Sequence, residues 1–169
     1  TKKTNLKVQL LGSGPILKEV IAASKLLHED WNIESDVWSV TSYSELHKDA
    51  EDINRWNLLN PNKEDKISYL NKCLNKTQGP IIACSDYVKL VSEQISPYID
   101  CDFVSIGTDG FGRSSSRNEL RDFFEIDKFY IILAAVNSLY KQGEVDAKLV
   151  EEVIQSYNID SDKLNPLKC

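Results

Sequence analysis

Residues 6–17 read Leu6-Lys7-Val8-Gln9-Leu10-Leu11-Gly12-Ser13-Gly14-Pro15-Ile16-Leu17. Leu6 to Leu11 is apolar enough for a strand buried on both faces, the glycines turn the chain, and Pro15 suits a first helical position, where its missing N–H costs nothing. Glu19 then stands near the positive end of the helix dipole, while Ile16, Val20, Ala23 and Leu27 share one apolar face. A buried strand that turns tightly into an amphipathic helix is half of a crossover unit, so the opening residues already point to a parallel α/β architecture.

The alternation continues along the chain. Val37 to Val40 reads as a second short strand. Ser42 with Glu45 matches the S-x-x-E capping box, and the helix it opens places Leu46, Ala50 and Ile53 inward. Pro61 ends that helix, and a further one carries Ile67, Leu70 and Leu74. After Gly79-Pro80 comes a third strand, Ile81 to Cys84. It leads through Ser85-Asp86 into a helix with Tyr87, Leu90, Val91, Gln94 and Ile95 at helical spacing, closed by Pro97. A fourth strand, Phe103 to Ile106, runs into a polar loop from Gly107 to Ser115. A second box, Ser116 with Glu119, starts a helix anchored by Leu120, Phe123 and Phe124. Two more helices follow: Phe129 to Tyr140, stopped by Gly143, and Ala147 to Tyr157, which Asp146 can cap; the tail after Asn158 reads as irregular. Four short apolar strands separated by helices predict parallel pairing through right-handed crossovers, with each strand beside its predecessor and helices on both faces. The expected fold is a three-layer α/β/α domain with a mainly parallel central sheet. It spans residues 1–169 as one unit, without repeat or linker.

Composition narrows the classes of function. Of 169 residues, 41% are hydrophobic and 27% charged, as in ordinary globular chains, and the net charge is −6. No basic stripe is available to neutralise nucleic-acid phosphates, no apolar run approaches the ~20 residues of a membrane span, and no signal segment leads the chain. A cytoplasmic location is expected, with neither nucleic acid nor membrane as partner. Cys73, Cys84, Cys101 and Cys169 form no C-x-x-C pair, and His28 and His47 lie apart from them, so no zinc or redox site is expected. The sequence contains no Met, which predicts a piece of a longer polypeptide.

Gly12-x-Gly14 could cradle a pyrophosphate, yet Leu17 stands where the third glycine of a dinucleotide fingerprint belongs. Glu34 and Asp36 come too early for the ribose-binding acid, so a plain strand-to-helix turn is the expectation. The loop Gly107-Thr108-Asp109-Gly110-Phe111-Gly112-Arg113 is the most unusual stretch. Its Arg could grip an anion, pair with a carboxylate of a neighbouring domain or simply be solvated, and interface or structural use is favoured over ligand binding. Asp109-Gly110 followed by Asn137 faintly resembles the metal and diphosphate motif of thiamine enzymes. That motif requires Gly before the Asp and a second Asn at its end, where this sequence has Thr108 and Ser138, and Asn137 falls within a helix. No catalytic constellation is expected: the histidines read as solvated, Ser42, Ser115 and Ser116 as caps, and Trp31, Trp38 and Trp56 as core or interface.

Six stretches, taken in order, resemble one family: VQLLGSGPIL, SDVWSVTSYSEL, RWNLLNP, SDYVKL, GTDGFGRSSSRNELRDFFEID and NIDSDKLNP. It is the homodimeric, bacterial-type decarboxylating component of pyruvate dehydrogenase, and the resemblance runs over essentially the whole chain, most specifically from Gly107 to Asp127. It implies a transketolase-like polypeptide of three α/β domains, two of which bind thiamine diphosphate and Mg²⁺ between subunits, while the third, C-terminal domain corresponds to this chain. The parent reaction implied is decarboxylation of pyruvate and acetylation of a lipoyl group on the acyltransferase component.

No catalytic, cofactor-binding or metal-binding residue carries over, so this chain is expected to be a non-catalytic domain that binds no cofactor itself. Its expected partners are the remaining domains, the second subunit of a homodimer and the lipoyl acyltransferase. Strand-end geometry nominates Thr41, Asp86, Asp109, Phe111 and Arg113 as interface residues. The family also implies an antiparallel edge strand before the first parallel one, supplied by Thr1 to Asn5 or absent. Two alternatives stand beside this reading, a degenerate nucleotide-binding domain of an oxidoreductase and a free-standing interaction module.

Overall fold

Four parallel strands, β1 (Lys7–Ser13), β2 (Glu34–Ser39), β3 (Ile81–Ser85) and β4 (Phe103–Ile106), form one sheet in the order β2-β1-β3-β4. The computed structural model describes residues 6–168, and the edge strand expected at Thr1 to Asn5 lies outside them. Seven helices connect or flank the strands: α1 (Leu17–Trp31), α2 (Tyr43–Leu59), α3 (Tyr69–Leu74), α4 (Leu90–Glu93), α5 (Arg117–Phe123), α6 (Lys128–Lys141) and α7 (Ala147–Ser156).

Alternation along the strands sorts the side chains into two cores. Val8, Leu10, Ile82, Cys84 and Ile106 face α1 and α6, with Val153 of α7 joining them. Leu11, Ile81 and Ala83 face the opposite layer, where Tyr43 of α2, Leu70 and Leu74 of α3, and Ile95 pack. This is the expected three-layer arrangement, and each fully buried Leu or Ile contributes on the order of 1.5–3 kcal/mol through apolar burial. A polar member of the second layer, Gln9, has no exposure at all. It is satisfied by donating to Asp36 and the Gln78 carbonyl and accepting from the Trp38 indole.

Several local expectations are corrected. The third strand pairs with β1 and not with its predecessor, so the order reverses between β1 and β3. β2 begins at Glu34, three residues before the expected Val37, and its polar start fits its place at the edge of the sheet among the described residues. Ile67 precedes α3 and is exposed. The helix expected from Tyr87 shrinks to the single turn of α4 and a 3-10 turn at Ser96–Tyr98, leaving Tyr87 and Leu90 in solvent. Ser42 accepts from the Glu45 N–H, but Glu45 reaches Lys48 instead of completing the box; Ser116 and Glu119 complete theirs. Asp146 makes no side-chain cap. Leu120, Phe123 and Phe124 are half-buried, and the buried residue of α5 is Arg121. Among the described residues no helix is long and apolar enough to cross a membrane.

Candidate functional site

The loops leaving the carboxyl ends of the strands open on one edge of the sheet, and the reversal of strand order leaves a crevice between those of β1 and β3. Open α/β sheets bind ligands there, because the two crossovers run to opposite faces and their loops part. In this chain the crevice is occupied by Arg121, whose side chain is 8% exposed. Nη1 donates to Glu19 Oε1 at 2.8 Å, and Nη2 donates to the Pro15 carbonyl at 3.3 Å and lies 3.8 Å from Asp86 Oδ1. The other oxygen of Glu19 accepts the Lys128 N–H at 3.2 Å. One carboxylate thus joins the first turns of α1 and α6 to α5. The Gly12-Ser13-Gly14 turn leads through a 3-10 turn, Gly14–Ile16, into α1. A pyrophosphate at this turn would find no N–H on Pro15 and would meet the Glu19 carboxylate.

The five nominated residues do not converge. Thr41 follows β2 and Asp109 follows β4, at opposite edges of the sheet, separated by three strand spacings or about 14 Å. The Asp86 carboxylate faces Arg121, and its carbonyl accepts from the Thr108 hydroxyl at 2.9 Å. Asp109 accepts the Lys89 N–H at 3.0 Å and lies 3.9 Å from the Lys89 ammonium. Arg113 rests on the Phe123 ring, 4.3 Å from its centroid. Phe111 points outward, 81% exposed. The loop carrying Phe111 is pinned on both sides: a Cβ on Gly107 would sit 2.5 Å from the Tyr87 carbonyl, and one on Gly110 would sit 2.8 Å from that of Pro166. Exposed Tyr87, Val88 and Leu90 belong to the segment against which Gly107 and Asp109 pack.

The titratable groups of this region are structural. Hydrogen bonds from Ser115 and Ser116 hold the Glu119 carboxyl below its usual range. Burial raises that of Asp127, although its Oδ1 caps α6 by accepting from the Phe129 and Tyr130 N–H groups. His28 pairs with Glu34 at 2.9 Å, and His47 donates to the Gln94 carbonyl at 3.0 Å while packing on Tyr98. Cys84 is fully buried and its thiol is pushed up by that burial. Among the described residues no three His, Cys, Asp or Glu side chains gather as a metal site.

Over residues 1–127 the chain matches the family model of the transketolase-like TK C-terminal domain. The chain belongs to this family. As a transketolase-like C-terminal domain it is 49% identical over 96% of its length to the pyruvate dehydrogenase E1 component of Pseudomonas aeruginosa, covering 18% of that protein. Against the pyruvate dehydrogenase E1 component of Escherichia coli K12 it is 47% identical over 95% of its length, again covering 18%. The chain therefore spans less than a fifth of the length of these relatives. A solved structure described as a split-gene transketolase, inactive beta4 tetramer, superposes with a TM-score of 0.53 at 15% identity, covering 82% of this chain and 41% of that one. That likeness bears on the fold, and it agrees with the layered parallel sheet. Neither Arg121 nor its pairing with Glu19 was foreseen. The available signal was helical spacing, since Arg121 stands three residues before half-buried Phe124, on the inward side of α5.

Proposed function

We propose that residues 1–169 form one unit, the non-catalytic C-terminal domain of a thiamine diphosphate-dependent, acetyl-transferring pyruvate dehydrogenase. The observation that carries this reading is the pairing of high identity along nearly the whole chain with coverage of only 18% of the relatives. The parent enzyme decarboxylates pyruvate and passes the acetyl group to a lipoyl arm of the acyltransferase component. Thiamine diphosphate and Mg²⁺ do not fit the residues of this chain. The Asp109 carboxylate is held by Lys89, Asn137 lies in the middle of α6, and no acidic cluster accompanies them among the described residues.

The domain's own share is packing, dimer assembly and positioning of the lipoyl partner, through the strand-end loops. Phe111 is the anchor in this reading, because an aromatic side chain exposed on a pinned loop gains most from burial in a partner. Arg121 closing the β1–β3 crevice supports this reading over a nucleotide-binding one.

The experiment compares three preparations. The 169-residue chain, supplied with pyruvate, thiamine diphosphate and Mg²⁺, releases no carbon dioxide, and calorimetric titration with NAD or thiamine diphosphate gives no heat. The longer polypeptide is active, and its Phe111→Asp and Arg113→Glu variants lose assembly or lipoyl acetylation. Decarboxylation by the short chain would overturn the proposal. Heat on addition of NAD would favour a nucleotide-binding domain, and a gene encoding these residues alone, with no several-hundred-residue stretch upstream, would favour a free-standing module.

A further inference from the structure

Among the described residues β4 is an edge of the sheet, and its free side carries an open hydrogen-bonding ladder. The Ile81 N–H donates to the Asp102 carbonyl, and Ile81 lies opposite Phe103. In a parallel ladder this register turns the main-chain groups of Val104 and Ile106 toward β3 and those of Phe103 and Ser105 away from it. Beside that free side runs a cleft of about 480 Å³, floored by Val104 and Ile106 and walled by Leu133 and Ala134 of α6 and Val150 and Ile154 of α7. The Asn137 amide lines it as well. Pro166 and Leu167 close the end beside the Gly107 to Ser115 loop. Three charged residues line the cleft, Lys89, Asp109 and Glu125, of which Lys89 and Asp109 face each other.

We infer that the β4 edge and the α6–α7 wall form a docking groove for a short extended segment, apolar and free of acidic residues, contributed by the part of the parent polypeptide outside this chain. The unpaired main-chain groups call for an extended backbone, since a strand answers N–H and C=O groups at every second residue. The apolar wall calls for aliphatic side chains on the α6–α7 side, and the Glu125 carboxylate that remains once Lys89 and Asp109 offset each other disfavours acidic ones. The relatives, of which this chain covers 18%, supply ample polypeptide for the purpose. The inference rests on the proposal that this chain is one part of a longer polypeptide, but not on that polypeptide's activity.

The test is amide hydrogen exchange across β4, in the longer polypeptide and in the 169-residue chain alone. Exchange at Phe103 and Ser105 slows at least tenfold in the longer polypeptide, while the already paired Val104 and Ile106 change little. Ser105→Pro removes an outward N–H and leaves the pairing with β3 intact, so protection at Phe103 is lost in that variant. Ser105→Ala, which removes only the hydroxyl that accepts from Ser92, keeps the protection. Equal rates in the two wild-type proteins overturn the inference. Protection that grows with concentration of the short chain alone assigns the groove to a second copy and overturns the choice of occupant. A longer polypeptide that protects β4 but does not decarboxylate pyruvate defeats the functional proposal and leaves the groove standing.

Discussion

Arg121 Nη1 donates to Glu19 Oε1 at 2.8 Å across 102 positions of sequence, in the crevice where the strand order reverses. Both partners are mostly withdrawn from water, with side chains 8% and 20% exposed. Removing one leaves the other's charge unanswered in a poorly solvated place. Arg121→Met is expected to destabilise the fold by about 3 kcal/mol. Glu19→Gln keeps an acceptor for the Lys128 N–H and should lower stability less. The double variant should be more stable than the sum of the single losses by about 1 kcal/mol or more. Urea unfolding of the four proteins measures this coupling, and strict additivity would show that the pair contributes nothing.

Asp127 separates capping from charge. Its folded pKa lies above the ordinary 3.8 because burial disfavours the carboxylate. Between that ordinary value and the raised one, the native state holds more protons than the unfolded chain, so this group's contribution to stability rises as pH falls through the window. Asp127→Asn keeps the acceptor for Phe129 and Tyr130 without the buried charge, and is expected to match or exceed wild-type stability at neutral pH. Asp127→Ala loses the cap and about 1 kcal/mol. Chemical unfolding at neutral and acidic pH, with NMR titration of the Asp127 carboxyl, checks both the order and the sign.

Two glycines of positive φ should respond unequally to alanine. At Gly79, φ is +85° and an added Cβ would lie 1.7 Å from the Lys7 carbonyl oxygen, whereas at Gly143, φ is +76° with no atom within 4 Å. Gly143→Ala therefore meets only the left-handed backbone penalty, about 1 kcal/mol. Gly79→Ala must also displace β1 and should cost more than about 4 kcal/mol. Thermal unfolding of the two variants distinguishes them.

Thiol reactivity should follow burial. In a Cys169→Ser background, iodoacetamide is expected to modify exposed Cys101 first and half-buried Cys73 more slowly. Cys84, enclosed between α1 and α6 and held as the thiol, should react only on unfolding. Mass spectrometry over a time course reads the order, and early modification of Cys84 would show that the core opens.

Legibility followed the range of the interactions. β4 has the bounds its apolar run announces, and Ser116 with Glu119 forms both arms of its box, because each depends on residues a few positions apart. The helix expected at Tyr87 failed even though its spacing was helical. Asp109, 20 residues away, takes the Lys89 N–H, and the Thr108 N–H takes the Tyr87 carbonyl, so this segment is bound as a loop before one turn of helix can form. Likewise Phe123 and Phe124 were expected as the anchors of α5. It is Arg121 that is buried, because Glu19, Asp86 and the Pro15 carbonyl surround it in the folded chain.

Hydrophobic period, turn residues and caps were enough to specify a layered α/β chain, since those signals act between near neighbours and survive in any tertiary setting. The reversal of strand order, the filling of its crevice by an arginine and the open side of β4 were settled only by the folded arrangement. Each depends on segments distant in sequence meeting at one place, where burial decides which charges must pair and which backbone groups stay open.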